Sequence, residues 1–197
     1  MRLLYSIILH LLIPVVIIRL LVRSIWLKDY RRRWHERFGQ FPDLAAKRPV
    51  WIHAVSVGEV MAAVPLVRAL REIDPTLAIL VTTTTPTGSE RVRATFGYEV
   101  FHFYAPYDLP RVVARFIKRV NPRIGIIMET ELWPNLLHQA RHHQVPLMLA
   151  NGRISDRSFK GYLRFPKLIR TTLQQFDYIA AQSDLDREPV SYTHLTL

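Results

Sequence analysis

Three short stretches set carboxylates and hydroxyls directly behind apolar runs: Trp51-Ile-His-Ala-Val-Ser-Val-Gly-Glu59, Thr82-Thr-Thr-Thr-Pro-Thr-Gly-Ser-Glu90 and Met128-Glu-Thr-Glu-Leu-Trp-Pro-Asn135. A carboxylate in such a turn can take the proton of a substrate hydroxyl, and a second one can hold a developing positive centre. Glu59 suits the first task. A helix start favours its ionised form, and Gly58 lets a bulky ligand approach the backbone. Glu129 suits the second, standing immediately after an apolar strand, where a carboxylate needs a partner or a task. Each stretch also has a purely structural explanation. Ser56-Val-Gly-Glu59 is spaced as a capping box, with Ser56 accepting from a backbone N–H and Glu59 reaching back to the Ser56 N–H. Thr85 can cap a helix whose first turn holds Pro86, and Thr87 with Glu90 offers a second box. The same turn, rich in hydroxyls and N–H groups, can bind a phosphate or a sugar. Glu131 reads as an acidic residue that helps start the next helix. Trp133-Pro134-Asn135 fixes the entry to that helix, with Trp133 either packing or forming a wall beside a sugar.

The elements that must position these residues follow from periodicity. Short apolar runs predict strands over 50–55, 77–82, 100–104, 124–128, 146–150 and 178–181. Amphipathic stretches predict helices over 58–73, 86–96, 109–120 and 132–143, and a broken pair across 154–174. In the first helix Val60, Val64, Val67 and Leu70 share one face. Near-continuous apolar strands alternating with helices indicate an α/β fold with a parallel, doubly wound sheet. In such sheets ligands bind outside the carboxyl ends of the strands, which is where all three turns fall.

The chain has 197 residues, no cysteine and a formal net charge of +11. Disulfides and thiolate metal sites are thereby excluded. The charge admits nucleic acid, a phosphorylated substrate or an anionic membrane, and its placement favours the membrane. Leu3–Ile18 carries no acid, Lys or Arg, and Leu20–Val22 extends the apolar run past Arg19. No small-residue cleavage site follows, so residues 1–27 read as a retained membrane anchor. Arg23, Lys28, Arg31, Arg32, Arg33 and Arg37 outnumber Arg2, which sets the downstream chain on the cytoplasmic side. Residues 28–49 read as a basic amphipathic segment and linker. Tyr30, Trp34 and Phe38 recur every four residues on one predicted helical face, and Arg31, Arg32, Arg33 and Trp34 suit anionic headgroups. No helix-turn-helix, zinc-finger or RNA-recognition signature supports nucleic-acid binding.

Taken together and in order, these segments resemble the bacterial 3-deoxy-D-manno-octulosonic acid (Kdo) transferases. Tyr30-Arg-Arg-Arg-Trp-His-Glu-Arg-Phe-Gly39, Pro106-Tyr-Asp-Leu-Pro110, Asn151-Gly-Arg-Ile-Ser155 and Ile179-Ala-Ala-Gln-Ser183 extend the resemblance to about Glu188. It implies that residues 50–188 are the acceptor-binding, Rossmann-like N-terminal domain of a two-domain glycosyltransferase of the GT-B type. It implies a transfer of Kdo from CMP-Kdo to a lipid A precursor, inverting and independent of metal or other cofactor. Glu59 would then be the general base and Glu129 a transition-state support. Ser56, Gly58, Thr85, Thr87, Gly88 and Asn135 would face the acceptor. CMP-Kdo would be held by a C-terminal domain that this chain lacks, so the chain reads as an inactive N-terminal half. Residues 189–197, β-prone after Pro189, read as a tail foreign to the family. Asp184-Leu-Asp186 matches a metal-binding pattern but reads as charge at a helix start, and His142-His143 as solvated. The other expectations are a membrane-docked lipid-binding module without catalysis, and a related lipid glycosyltransferase such as the lipid A disaccharide synthase type. The paired motifs around Glu59 and Glu129 argue against the latter.

Overall fold

A computed structural model describes residues 1–26, 33–152, 161–162 and 164–181. Asn151 and Gly152 of the Asn151–Ser155 motif fall within it. Arg31, Arg32, the remainder of that motif and the tail from Ser183 onward lie outside the described residues, as do Asp184 and Asp186.

Six parallel strands form one sheet: β1 (Val50–His53), β2 (Ile79–Thr83), β3 (Phe101–Tyr104), β4 (Ile124–Met128), β5 (Leu147–Gly152) and β6 (Tyr178–Ala181). Their spatial order is β3-β2-β1-β4-β5-β6, the doubly wound Rossmann order. The α/β expectation is met, and each predicted strand is present with bounds moved by a residue or two. Helices α3 (Val57–Ile73) and α4 (Pro86–Phe96) connect the first three strands, and α5 (Pro110–Val120) returns the chain to β4. Helices α6 (Pro134–His142) and α7 (Pro166–Leu173) connect β4, β5 and β6. Each of α4, α5, α6 and α7 opens on a proline, whose missing N–H costs nothing in a first turn.

Alternation along β1 divides the core in two. Val50 and Ile52 point to the layer shared with Val60, Val64, Val92 and Phe96 of α3 and α4. Trp51 points to the opposite layer, with Phe116 and Ile117 of α5 and Leu136 and Leu137 of α6. Trp51 is fully buried and stands directly across from Gly125 of β4. A Cβ on Gly125 would lie 2.8 Å from both the Trp51 ring and Leu147. Glycine at that position is what lets an indole fit against the sheet.

Before the sheet come α1 (Arg2–Trp26) and α2 (Trp34–Arg37). The apolar N-terminal helix expected from sequence is therefore present. Of the amphipathic helix expected across Tyr30–Phe38, the described residues show four helical positions, and Arg33 before them is left-handed at φ 59°. Arg33 is not presented to headgroups. Its guanidinium donates to Glu36 (2.6 Å), the His102 carbonyl (2.7 Å) and Ser89 (3.2 Å). Arg33 and Arg37 both lie over the Tyr104 ring, at 4.9 and 4.3 Å. These two arginines fasten the linker to the sheet, because a guanidinium that finds several fixed acceptors and an aromatic face exchanges its hydration for them.

Candidate active site

Strand order reverses between β1 and β4, so the turns that follow them flank the crevice where open α/β sheets bind ligands. The β1–α3 turn carries Ser56, Gly58 and Glu59. The β4–α6 turn carries Glu129, Glu131 and Trp133. The Thr84 N–H and hydroxyl both donate to the Val55 carbonyl, at 3.2 and 2.9 Å, tying the β2–α4 turn to the first.

Glu59 is only 4% exposed. Its N–H donates to Ser56 Oγ (3.2 Å), and its Oε2 accepts from the Val55 N–H (2.8 Å). The capping box is thus displaced: the carboxylate reaches Val55, not Ser56. Val55 lies beyond the last residue of β1, and its N–H has turned from the ladder toward the helix. The expectation that a helix start keeps Glu59 ionised also needs correction. Burial pushes its pKa up to about 7, and the Glu131 and Glu129 carboxylates add to the rise, while the bonds from Ser56 and Val55 oppose it. Its proton affinity is thereby raised well above that of an ordinary carboxylate. A carboxyl in that state is well matched to proton transfer at physiological pH. Gly58 beside it is exposed, and a Cβ there would meet only Ser56 Oγ, at 3.8 Å. The backbone is open on that side.

Glu129 is half-buried and adopts φ 54°, a left-handed conformation that glutamate rarely takes. Its N–H donates to the Ala150 carbonyl at 2.8 Å, which pins the turn to β5. Strain of this kind collects at functional sites, since surrounding structure must hold it there. Glu131 belongs with these carboxylates rather than to a helix start, because α6 begins only at Pro134. Its Oε2 accepts from Trp133 Nε1 at 2.8 Å, and burial followed by the Glu129 charge raises its pKa. Sequence reasoning missed this partner; the signal was a third carboxyl two residues after Glu129.

Trp133 in turn rests edge-to-face on His53, with ring centroids 4.8 Å apart. His53 is fully buried; its Nδ1 meets Thr82 Oγ1 at 2.9 Å, and that oxygen also accepts from Trp51 Nε1 at 2.9 Å. Burial drives the His53 pKa down to about 3, so the ring is neutral and supports the turn without acting as a base.

The other expected residues separate into two groups. Thr85 caps α4 by accepting from the Gly88 N–H (3.1 Å), and its Oγ1 lies 3.2 Å from that of Thr87, which is exposed. Thr87 lies inside α4 and does not begin a second box. Gly88 is buried, with Thr85 and Thr83 atoms 3.1 and 3.2 Å from where a Cβ would stand, so it serves packing. Asn135 is fully buried: it donates to the Asp108 carbonyl (2.7 Å) and accepts from Ser6 (3.0 Å) and Arg2 (3.3 Å) of α1. These bonds make Asn135 a cross-link between α1 and the domain, with its amide oxygen and nitrogen both engaged by protein partners. Asp108, to which sequence reasoning gave no role, accepts from the Asn135 and Leu136 N–H groups at 3.1 and 2.6 Å and caps α6 from another segment. Burial raises its pKa to about 6, against the hydrogen bonds that it accepts.

Residues 32–195 match the family described as 3-Deoxy-D-manno-octulosonic-acid transferase (kdotransferase). The 3-deoxy-D-manno-octulosonic acid transferase of Haemophilus influenzae is 45% identical over 186 residues, covering 93% of this chain and 44% of that protein. The protein of the same name from Bordetella pertussis is 39% identical over 189 residues, covering 86% and 43%. The probable mitochondrial 3-deoxy-D-manno-octulosonic acid transferase of Arabidopsis thaliana is 42% identical, covering 80% and 36%. The chain thus spans less than half the length of these relatives. A family match across most of the sequence, joined to identity at this level, means that the chain belongs to the 3-deoxy-D-manno-octulosonic acid transferase family.

Proposed function

We propose that this chain is the acceptor-binding half of a GT-B glycosyltransferase that transfers Kdo from CMP-Kdo to a lipid A precursor in lipopolysaccharide synthesis. The observation that carries the reading is Glu59: a buried carboxyl with a pKa near 7, beside an open glycine, at the switch point of a parallel sheet. In an inverting transfer the acceptor hydroxyl gives its proton to Glu59 as its oxygen bonds to the anomeric carbon of Kdo. The bond from that carbon to the CMP phosphate oxygen breaks, and the electron pair leaves with CMP. Glu129 supports the positive charge that develops on the sugar. Glu131, held by Trp133, raises the proton affinity of Glu59. Ser56, Gly58, Thr85 and Thr87 border the acceptor, while Gly88 and Asn135 serve the scaffold. The donor is held by a second domain, and no metal or cofactor takes part. The domain works on the cytoplasmic side of the bacterial inner membrane.

The test compares Glu59→Gln with the parent in a chain extended to the length of its relatives, assayed with CMP-Kdo and a tetraacylated lipid A precursor. A loss of about 10²–10⁴-fold in turnover is expected for removal of a positioned base. Glutamine can still accept from Val55 and fill the cap, so near-parental turnover would leave Glu59 a structural residue and defeat the reading.

A further inference from the structure

Helix α1 is docked to the domain through its first turns. In its first turns the Tyr5 hydroxyl donates to Asp108 (2.9 Å) and Ser6 donates to Asn135 (3.0 Å). Its last turns run beside α2, where Ser24 and Ile25 share an open groove with Trp34. Helix α2 is itself fixed to the sheet, because Glu36 accepts from the Tyr104 N–H at 2.7 Å. Between these ends runs a continuous shielded stripe. Tyr5, Ser6, Leu9, Ile13, Leu20 and Ser24 are all half-buried or buried, and their spacing puts them on one face. The opposite face is bare over most of the helix: Leu4, Ile8, Leu11 and Val15 are each at least 47% exposed.

This geometry conflicts with a bilayer crossing. A helix of 25 residues is about 37 Å long, enough to cross a hydrocarbon core of about 30 Å. Crossing would set its two ends on opposite sides, yet Asp108 and Trp34 belong to one folded unit. Seven peptide units join Trp26 to Arg33, a reach of at most about 25 Å. The chain cannot return across a bilayer and also keep the first turn on Asp108. Undocking that turn would take the Tyr5 donor from Asp108 and both the Ser6 and Arg2 donors from the buried Asn135 Oδ1.

We infer that α1 does not span the membrane but lies along the domain with its bare face in one leaflet, both ends on the domain's side. Acyl chains are the occupant that fits this face. It is apolar along the whole helix, and α1 contains no Asp or Glu. Arg19 is exposed and long enough to reach anionic headgroups from within it. The docked first turn adjoins the β4–α6 turn, so the carboxyl edge of the sheet is held near the lipid surface. The inference concerns the helix alone and stands or falls independently of the chemistry proposed for Glu59.

The absence of cysteine makes the test clean, since each introduced thiol is unique. Leu4→Cys, Leu11→Cys and Ile18→Cys, all at exposed positions, are spin-labelled in vesicles of phosphatidylethanolamine and phosphatidylglycerol. Collision with oxygen and with a water-soluble nickel chelate then reads depth. Equal, shallow depths at the three positions are expected. A profile deepest at Leu11→Cys and shallow at both ends would mean a crossing helix. Labels shielded from oxygen and nickel alike would mean that protein, a second copy or another partner, covers the face instead; either result overturns the inference. A second readout uses a cysteine added before Met1 and a Glu90→Cys variant on the exposed surface of α4. Both thiols should react with an impermeant maleimide from the same side of the vesicle, and reaction from opposite sides would refute in-plane docking.

Discussion

At the scale of residues, one carboxyl trades stability against chemistry. Glu59 ionises less readily in the folded chain, near pH 7, than in the unfolded chain, near pH 4.5. A group whose pKa is raised by folding stabilises the fold fully below the unfolded value, and that contribution is lost as pH rises through the folded one. Glu59→Gln keeps the neutral form at every pH. It should therefore be more stable than the parent at pH 8, by roughly 1–3 kcal/mol, with the gap closing toward pH 5. Urea unfolding at the two pH values checks this; a gap that widens toward pH 5 would mean that Glu59 is held ionised. The same titration gives turnover an acid limb near pH 7 in the extended chain, because only the ionised carboxylate accepts a proton. Glu129 offers a separate test. At φ 54° a residue with a Cβ is strained and glycine is not. Glu129→Gly should exceed Glu129→Ala in stability by about 1 kcal/mol. Equal or reversed stabilities would show that the turn relaxes on truncation.

At the scale of elements, the tightest constraint is the β1–β4 pair. Trp51 fills the space that a side chain on Gly125 would occupy. Gly125→Ala should cost about 1–3 kcal/mol through overpacking, and thermal unfolding will read it. The helix α6 depends on a cap from outside its own sequence. Asp108→Ala removes acceptors for the Asn135 and Leu136 N–H groups and for Tyr5 of α1, and should destabilise by about 1–3 kcal/mol. Asp108→Asn, which keeps one acceptor oxygen, should lose less. Equal loss in the two variants would assign the effect to charge rather than to the cap.

At the scale of the whole molecule, charge and length set expectations. With residues 1–27 removed, binding to anionic vesicles should weaken as salt rises, since headgroup charge is screened within about 8 Å at physiological ionic strength. With Arg33 turned inward, Arg33→Ala should change the fold's stability more than this binding. Co-sedimentation and unfolding measurements separate the two. The 197-residue chain alone should show no transfer from CMP-Kdo. Positioning of two substrates supplies roughly 7–11 kcal/mol of barrier lowering, and the proposed donor domain is needed for it. Robust turnover by a verified preparation of this chain would put the donor site within the sheet described here.

The sequence by itself determined the order of strands and helices, the turn that carries Glu59 and the membership that these turns announce. Apolar runs, proline starts and the Thr85 cap are local signals, set by residues a few positions apart. Tertiary structure decided what those side chains do. Glu59 reads as an ionised helix-start residue until burial and the carboxylates of a distant turn raise its pKa. Glu131 reads as the start of α6 until the Trp133 indole N–H holds it and its charge acts on Glu59. Asn135, Asp108 and Arg33 look available in sequence, yet partners as far as 133 residues away occupy them. Whether α1 crosses a bilayer was equally beyond its composition, since an apolar helix has the same length and hydropathy in either orientation. The answer lies in hydrogen bonds from its first turn to Asp108 and Asn135, because only a folded domain brings those groups together.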